Sequence, residues 1–350
     1  MELINETDFP AIALPFTGPE GTPVLTVVVK GTFAMVPDEP ATAADEQLPL
    51  CFGDEFNDPD KGGSVKFESD LAPYKPRADI VLVGMAHAPG GRPATTVDVS
   101  VRVGQTRKVV RVLGNRAWRW RGPFLAPKPG KPAPFTQVPL VYERAFGGID
   151  KVAGGAFAEN PLGRGFAAKR RRKALKAARL PNLEDPRRPV RGWKDRPRPA
   201  CFGFWGKGWQ PRLALLGTYD DTWRETRAPE PPEDFRFEFH NGAHPDLQVE
   251  GWLKGDEEVS LRNVSKSGHL RFKLPEFPPA CRIERYTRFA DGPPADFKGP
   301  AEEPAEAEDL TLRADTLCLL PEEERFTLVW RGICPVRDLS AVEIKSVRIT

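Results

Sequence analysis

Two short motifs place residues at the spacing of known ligand sites, and the first is a glycine motif. Gly163-Arg164-Gly165-Phe166-Ala167-Ala168 matches the loose fingerprint of dinucleotide-binding proteins, and Glu184 follows at about the expected distance. That fingerprint requires a buried strand before it, whereas here Asn160-Pro161-Leu162 precedes it and no strand–helix alternation surrounds it. The glycines therefore indicate a tight turn, and no cofactor is predicted.

The second motif is a pair of histidines, His240 and His244, with Asp246 close behind. On a helix, a spacing of four residues would bring both imidazoles onto one metal ion. Gly242 and Pro245 disfavour a helix in this segment. We therefore predict a loop with two ordinary histidines and no metal site.

Signatures of catalysis are missing from the sequence. It contains no Gly-x-Ser-x-Gly elbow, no Walker loop and no cysteine in a recognisable nucleophile context. Carboxylates such as Glu143, Asp220 and Asp221 are plentiful, so a glycosidase-like acid pair stays open. The prediction is a protein that is not an enzyme, and the alternative is a carboxylate-based hydrolase or a carbohydrate-binding module.

Aromatic and arginine side chains are concentrated in the middle of the chain, where neither a helical nor a strand period is visible. Such side chains are enriched at the energetic centres of protein interfaces, because they bury large areas and arginine pairs with carboxylates or stacks on rings. The alternative is that each of them packs the interior of an irregular segment. The predicted partner-binding residues are Tyr142, Arg144, Phe146, Arg164, Trp209, Arg212 and Trp223.

A basic run from Lys169 to Arg179 carries seven positive charges and no acid, inside a predicted helix from Ala167 to Leu180. It is interpreted either as a solvated helix face or as a docking patch for an acidic protein surface or a nucleic acid. The whole chain has 51 basic and 49 acidic residues, a formal charge of +2. This balance makes nucleic acid an unlikely partner and favours a protein.

The elements that must position these residues are mostly strands. Apolar residues alternate with polar ones in several segments, and 38 prolines and 31 glycines separate them. The clearest segments are Val24 to Val36, Val97 to Val103 with Val110 to Val112, Leu270 to Leu274, and Leu310 to Leu320 with Phe326 to Trp330. The acidic stretch from Gly299 to Asp309 is interpreted as a solvated linker.

The predicted fold is mainly β. Residues 1–121 and 246–350 are expected to form a β-sandwich-like body, interrupted by a loop-rich central insertion, 122–245, that contains the short basic helix. The alternative is that both parts form one structural unit. No secretory signal, no membrane-spanning run of about 20 apolar residues and no Cys-x-x-Cys pair is present, so a cytoplasmic location without membrane contact is expected.

Several motifs carry a resemblance to a known family. In chain order they are Phe67-Glu68-Ser69-Asp70-Leu71-Ala72-Pro73-Tyr74-Lys75-Pro76, His87-Ala88-Pro89-Gly90-Gly91, Tyr142-Glu143-Arg144-Ala145-Phe146-Gly147-Gly148, Asn160-Pro161-Leu162-Gly163-Arg164-Gly165-Phe166, Leu180-Pro181-Asn182-Leu183-Glu184, Trp209-Gln210-Pro211-Arg212, Gly217-Thr218-Tyr219-Asp220, Pro232-Glu233-Asp234-Phe235 and Pro245-Asp246-Leu247-Gln248. With these motifs the chain resembles the type VI secretion adaptor family, domain of unknown function 2169.

The resemblance implies an intracellular adaptor or chaperone. Such a protein holds a toxic effector, or its tip domain, and helps load it onto the secretion spike. Its implied partners are a secreted effector protein, a spike-tip protein of the PAAR or VgrG type, or both. The resemblance supplies no catalytic residues, and it does not identify the cargo.

Overall fold

The computed structural model describes residues 1–19, 21–60, 62–120, 126–168, 179–276, 278–286, 304–336 and 344–350. Strands account for 40% of the structure and helices for 9%, which confirms the predicted mainly β class. Most of the predicted basic helix, residues 169–178, lies outside the described residues. In the described part of the chain, no helix combines the length and the apolar character needed to cross a membrane.

The strands are numbered in chain order. They are β1 (Glu2–Asn5), β2 (Ala11–Thr17), β3 (Pro23–Ala34), β4 (Thr42–Ala43), β5 (Glu55–Phe56), β6 (Val65–Phe67), β7 (Arg77–Leu82), β8 (Met85–His87), β9 (Thr96–Val103), β10 (Thr106–Leu113), β11 (Trp118–Arg119), β12 (Lys128–Pro129), β13 (Gln137–Pro139), β14 (Phe146–Gly147), β15 (Arg164–Gly165), β16 (Leu183–Glu184), β17 (Gln248–Glu250), β18 (Glu258–Arg262), β19 (His269–Lys273), β20 (Cys281–Tyr286), β21 (Pro304–Asp309), β22 (Arg313–Leu320), β23 (Arg325–Pro335) and β24 (Ile344–Ile349).

Helical structure among the described residues is short. The α-helix α1 spans Asp221–Thr226. The 3-10 helices are Pro89–Gly91, Tyr142–Arg144, Arg212–Leu215, Phe237–His240, Pro245–Leu247 and Pro321–Glu323.

Three larger sheets organise the strands. A seven-stranded sheet has the order β17-β7-β22-β23-β3-β2, with β4 added beside β3. A five-stranded sheet has the order β16-β10-β9-β18-β19, and a four-stranded sheet has the order β1-β24-β20-β21. The remaining strands form two-stranded pairs, β11 with β12, β13 with β8, β14 with β15 and β5 with β6.

The predicted hairpin in the five-stranded sheet forms as its alternation requires. In β9, Val97 and Val99 are buried whereas Asp98 and Arg102 are exposed, because successive side chains point to opposite faces of a strand. The strand pairs antiparallel with β10, and Gly104 in the turn has a φ of +54°, a conformation that favours glycine.

Strand β3 is buried along almost its whole length, because side chains cover both of its faces. Val27 and Val29 point into the main hydrophobic core. Val28 points the other way and packs with Leu50 and Val329 in a smaller cluster. A strand covered on both sides has a nearly continuous apolar sequence, and from Val24 to Val29 only Thr26 is polar.

One hydrophobic core joins the three larger sheets, which makes the body sandwich-like. Phe272 on β19 stacks on Phe326 on β23 with ring centroids 5.2 Å apart, so the five- and seven-stranded sheets meet there. Tyr142, Leu183 and Phe202 of the central segment lie in the same core. The division of the chain into a body and an insertion stays a prediction.

The interpretation of Gly299 to Asp309 as a linker is wrong for Pro304–Asp309, which forms β21. This strand pairs antiparallel with β20, and Glu308 forms an ion pair with Arg285 at 2.7 Å. The acidic composition suggested a solvated segment. Main-chain pairing does not depend on that composition, and the alternation of alanine with glutamate from Ala305 to Glu308 already has the period of a strand.

Candidate functional site

Three segments with family-like motifs interlock in the structure. We call residues 142–148, 160–166 and 180–184 the central junction. Within it, β14 pairs in parallel with β15, so Phe146 lies opposite Arg164. Ala145 forms a parallel bridge with Leu183. Segments that are distant in sequence are therefore held side by side by main-chain hydrogen bonds.

Two buried asparagines fix the central junction. The side-chain amide of Asn160 donates to the carbonyls of Tyr142 at 2.8 Å and Phe146 at 3.1 Å. The side-chain amide of Asn182 donates to the carbonyl of Leu113 at 2.8 Å, and its backbone N–H donates to the carbonyl of Arg144 at 2.8 Å. Both asparagines are at most 1% exposed, so these bonds are shielded from water.

The glycines of the central junction allow its segments to touch. Gly147 has a φ of +146°, and a Cβ atom there would lie 2.1 Å from the carbonyl oxygen of Asn160. A Cβ atom at Gly163 would lie 2.5 Å from the amide nitrogen of the same residue. Gly165 has a φ of +98°, and a Cβ atom there would lie 2.9 Å from Cδ of Pro181. Gly163 and Gly165 therefore allow close packing, which gives a structural reason for the glycine motif that does not involve a nucleotide.

Arg144 and Arg164 converge on one acceptor. An Nη1 nitrogen of each lies 3.3 Å from Oδ1 of Asn182, and Nε of Arg164 donates to the carbonyl of Glu143 at 2.7 Å. Both arginines are half-buried, and Arg179 is exposed. We call Arg144, Arg164 and Arg179 the arginine cluster.

The charges of the arginine cluster repel one another. Burial lowers the pKa of Arg164, and the positive charges of Arg144 and Arg179 lower it further. Burial and the charge of Arg179 likewise lower the pKa of Arg144. Within the described part of the chain, no carboxylate lies at ion-pair distance from the three guanidinium groups.

Glu143 is the acid nearest to the cluster in sequence, but its carboxylate is used elsewhere. It accepts hydrogen bonds from the backbone N–H of Ser64 at 2.5 Å and from the hydroxyl of Ser64 at 2.8 Å. The negative charge of Glu143 raises the pKa of Arg144 and Arg164 less than burial lowers it. Among the described residues, no ion pair therefore compensates the positive charge of the cluster.

A shallow groove with exposed apolar side chains adjoins the junction. It has a volume of about 330 Å³. Phe56 is 41% exposed and Leu162 is 36% exposed, and they line the groove together with Trp209 and the ion pair between Lys207 and Asp54. We call this the apolar groove. Such exposed apolar side chains around a concave surface are typical of interaction sites.

Four of the seven predicted partner-binding residues lie in the interior: Tyr142, Phe146, Trp209 and Arg212. The ring of Tyr142 packs edge-on against Trp209, with centroids 5.3 Å apart, and burial raises the pKa of its hydroxyl well above the ordinary value. Phe146 packs against Phe157 at 5.1 Å in a smaller hydrophobic cluster. These positions match the alternative of internal packing, and a partner-binding role for the seven residues stays a prediction.

Arg212 is held by a buried ion pair. Its Nη2 nitrogen lies 2.7 Å from Oε1 of Glu68, and its other nitrogens donate to the carbonyls of Trp205 and Phe239, each at 2.7 Å. All of these partners belong to the chain itself. The contacts of Arg212 are therefore those of a residue that stabilises the fold.

Trp223 lies half-buried on helix α1, where its ring packs against Tyr219 with centroids 4.6 Å apart. Its indole N–H donates to the carbonyl of Glu230 at 2.8 Å. Asp220 caps this helix by accepting the backbone N–H of Trp223 at 2.8 Å, and Asp221 forms an exposed ion pair with Arg224. Both aspartates thus have a local structural role.

His240 and His244 lie at the end of one 3-10 helix and just before another. The pKa of each is lowered to about 3, chiefly by burial. The ammonium of Lys108 lies 3.1 Å from Nδ1 of His244 and forms an ion pair with Asp246 at 2.8 Å. Across the described ranges, no group of three or more His, Cys, Asp or Glu side chains is arranged to hold a metal ion.

The sequence reasoning missed Asn160, Asn182, Phe56 and Leu162 as residues of the site. Asn160 and Asn182 belong to motifs that carry the family resemblance, and each is next to a proline in the sequence. That context marks an ordered irregular segment, since asparagine side chains commonly bond nearby backbone groups. Phe56 and Leu162 gave no comparable signal.

Comparison with known proteins identifies a family. The family model described as "Uncharacterized protein conserved in bacteria (DUF2169)" matches residues 20–331, which include the central junction, the arginine cluster and the apolar groove. Neither the curated proteins nor the solved structures gave a match.

Proposed function

The chain belongs to the DUF2169 family, and we propose that it is a non-enzymatic adaptor that binds another protein. The resemblance to type VI secretion adaptors supports a finer proposal. In it, the partner is a secreted effector or a spike-tip protein of the PAAR or VgrG type, held in the cytoplasm and loaded onto the secretion spike.

The observation that carries the proposal is the apolar groove beside the arginine cluster. Phe56 and Leu162 expose apolar surface, and Leu162 lies two residues from Arg164. The centres of protein interfaces are enriched in aromatic side chains and arginine. This combination therefore supports a protein partner.

The central junction adds pre-organisation. The interlocked glycine and asparagine contacts hold Leu162 and Arg164 on backbone that is bonded to two other segments. A surface that is already ordered loses less conformational entropy when it binds. The junction therefore supports binding through a preformed surface.

Affinity capture with identification by mass spectrometry tests the proposal. The tagged protein is expressed together with its neighbouring genes, and we expect an effector or a spike-tip protein to be retained. Leu162→Asp and Phe56→Asp should each reduce the retained amount about tenfold or more, because they place a charge in an apolar contact. Val152→Asp is the matched control, since Val152 is 39% exposed and does not line the groove.

Retention that is unchanged in both groove variants would contradict the use of this surface. The alternative, a carbohydrate-binding module or a carboxylate-based hydrolase, predicts binding on a glycan array or turnover that is lost on Asp220→Asn. Asparagine caps a helix about as well as aspartate, so this variant keeps α1 and removes only the charge.

A further inference from the structure

We propose that the arginine cluster is an anion site that receives carboxylate groups from an acidic peptide segment of the partner. The identity of that partner rests on the proposed function, whereas the anion site does not. The site consists of Arg144, Arg164 and Arg179, with Asn182 as its fixed base.

The geometry leaves hydrogen-bond donors for a ligand. A guanidinium group has five N–H donors. The hydrogen bonds among the described residues use one donor of Arg144 and two of Arg164. Asn182 is 1% exposed, and its side-chain amide nitrogen donates a hydrogen bond to the carbonyl of Leu113. Its Oδ1 atom, which accepts from both guanidinium groups, is therefore fixed in position. The remaining donors can meet a carboxylate in the paired geometry that arginine favours.

The charge of the site also favours an anion. Residues 160–183 contain eight basic and no acidic residues, and the flanking acids Glu159 and Glu184 form ion pairs with Arg198 and Arg116. Arg144 and Arg164 are half-buried, where charges interact more strongly than in bulk water. A bound carboxylate would reduce the mutual repulsion of the cluster.

A protein carboxylate fits the site better than a nucleic acid. Proteins that bind single strands usually stack bases on exposed aromatic rings. Among the aromatic residues of the central junction, Tyr142 and Phe146 are buried, and the half-buried ring of Phe166 already carries the guanidinium of Arg196 at 4.9 Å. The chain as a whole carries a formal charge of only +2. These observations favour an acidic peptide.

Fluorescence anisotropy with a labelled hexaglutamate peptide tests the site directly. We expect Arg144→Gln and Arg164→Gln each to weaken binding about tenfold or more, and Arg179→Gln to weaken it less because Arg179 is exposed. Arg144→Lys and Arg164→Lys keep the positive charge but lose the planar guanidinium group that can donate two parallel hydrogen bonds to one carboxylate. Their affinities should therefore lie between those of the wild type and the glutamine variants. Hexaglutamine should not bind.

Two matched control variants distinguish binding at the three arginines from nonspecific attraction of the peptide to positive charge elsewhere on the surface. Arg111→Gln removes an arginine that is already paired with Asp98 at 2.8 Å, and it should leave the affinity unchanged. Arg107→Gln removes an exposed arginine of β10 that does not belong to the proposed site, and it should have a smaller effect than Arg164→Gln. Thermal melts of every variant, with and without peptide, show whether a loss of binding reflects unfolding.

The proposal is overturned if Arg107→Gln weakens binding as much as Arg164→Gln, or if the three cluster variants bind like the wild type. Tighter binding of oligothymidine than of hexaglutamate would also overturn it. If Arg144→Gln and Arg164→Gln do not fold, the hexaglutamate affinities of Arg179→Gln and of the two lysine variants are compared with that of the wild type instead. Wild-type affinity in all three would overturn the proposal. If hexaglutamate binds as expected but affinity capture retains no partner, the anion site is supported and the adaptor function is refuted.

Discussion

Arg212 shows that an arginine among interface-type residues can belong to the interior. Its side chain and that of Glu68 are 5% and 6% exposed and lie 2.7 Å apart. Arg212→Ala would leave the buried Glu68 carboxylate with only the partly exposed Lys207 as counter-charge, 3.4 Å away, so we expect a cost of about 3 kcal/mol, the lower end of the range for breaking a buried ion pair. We expect the free energy of unfolding, measured in urea, to fall by that amount.

Arg224→Ala is the control for this prediction. Arg224 pairs with Asp221 at 2.6 Å, but both side chains are largely exposed, so the change should stay within about 0.5 kcal/mol. Similar stability of Arg212→Ala and Arg224→Ala, together with a specific loss of partner binding in Arg212→Ala, would instead make Arg212 an interface residue.

His244 predicts how stability depends on pH. Burial and the charge of Lys108 lower its pKa to about 3, whereas an unfolded histidine has an ordinary pKa of 6.5. Below about pH 6.5 the imidazole of His244 is protonated in the unfolded chain, whereas in the folded chain it stays neutral down to about pH 3. The free energy of unfolding therefore decreases as the pH falls from about 6.5 to about 3. At about pH 5 the contribution of His244 to this loss is on the order of 2 kcal/mol, and His240, whose pKa is also lowered to about 3, adds a loss in the same direction.

Urea unfolding at about pH 7 and about pH 5 measures this loss. His244→Gln should reduce the difference between the two pH values, because glutamine does not titrate. His269→Gln changes an exposed histidine on β19 and should keep the wild-type difference. An unchanged difference in His244→Gln would show that other groups cause the pH dependence.

At the scale of elements, the pairing of β14 with β15 depends on glycine. At Gly147 the φ of +146° disfavours any side chain, and a Cβ atom would lie 2.1 Å from the carbonyl oxygen of Asn160. Gly147→Ala should therefore cost about 3 kcal/mol or more, or prevent folding. Gly203→Ala is the control, because no atom lies within 4 Å of a Cβ atom built there.

Denaturant unfolding compares the two alanine variants. A Gly147→Ala protein as stable as Gly203→Ala would mean that the segments of the central junction can separate without cost. In that case the junction could not be the preformed support that the proposed binding surface requires.

The elements differ in how far the sequence predicts them. Val97 to Val103 has the alternation of a strand, and β9 forms there because one face of it is buried. Arg212 has the residue type of an interface anchor, but its partner Glu68 lies 144 residues away in the chain. Periodicity reports local structure, whereas the convergence of Arg144 and Arg164 on Asn182 depends on tertiary pairing. The mainly β class was therefore predictable, and the burial of individual site residues was not.

At the scale of the whole molecule, the central segment and the sheets share interior contacts. Phe202 lies in the main core, and its carbonyl accepts the backbone N–H of Leu82 on β7 at 2.9 Å. The buried carboxylate of Asp79, also on β7, accepts the backbone N–H groups of Gly242 at 2.9 Å and Ala243 at 3.1 Å. Separating the two parts would expose apolar side chains and remove these two backbone donors from the Asp79 carboxylate.

We therefore predict that the full chain unfolds in one cooperative transition and that residues 122–245 expressed alone do not fold. Tyr142, Leu183 and Phe202 would lose their core neighbours in such a fragment, and burial of apolar surface is the main contribution to folding. Far-ultraviolet circular dichroism and tryptophan fluorescence should give coincident unfolding curves for the full chain. Two separate transitions, or a cooperative melt of the isolated fragment, would show instead that the central segment is a domain of its own.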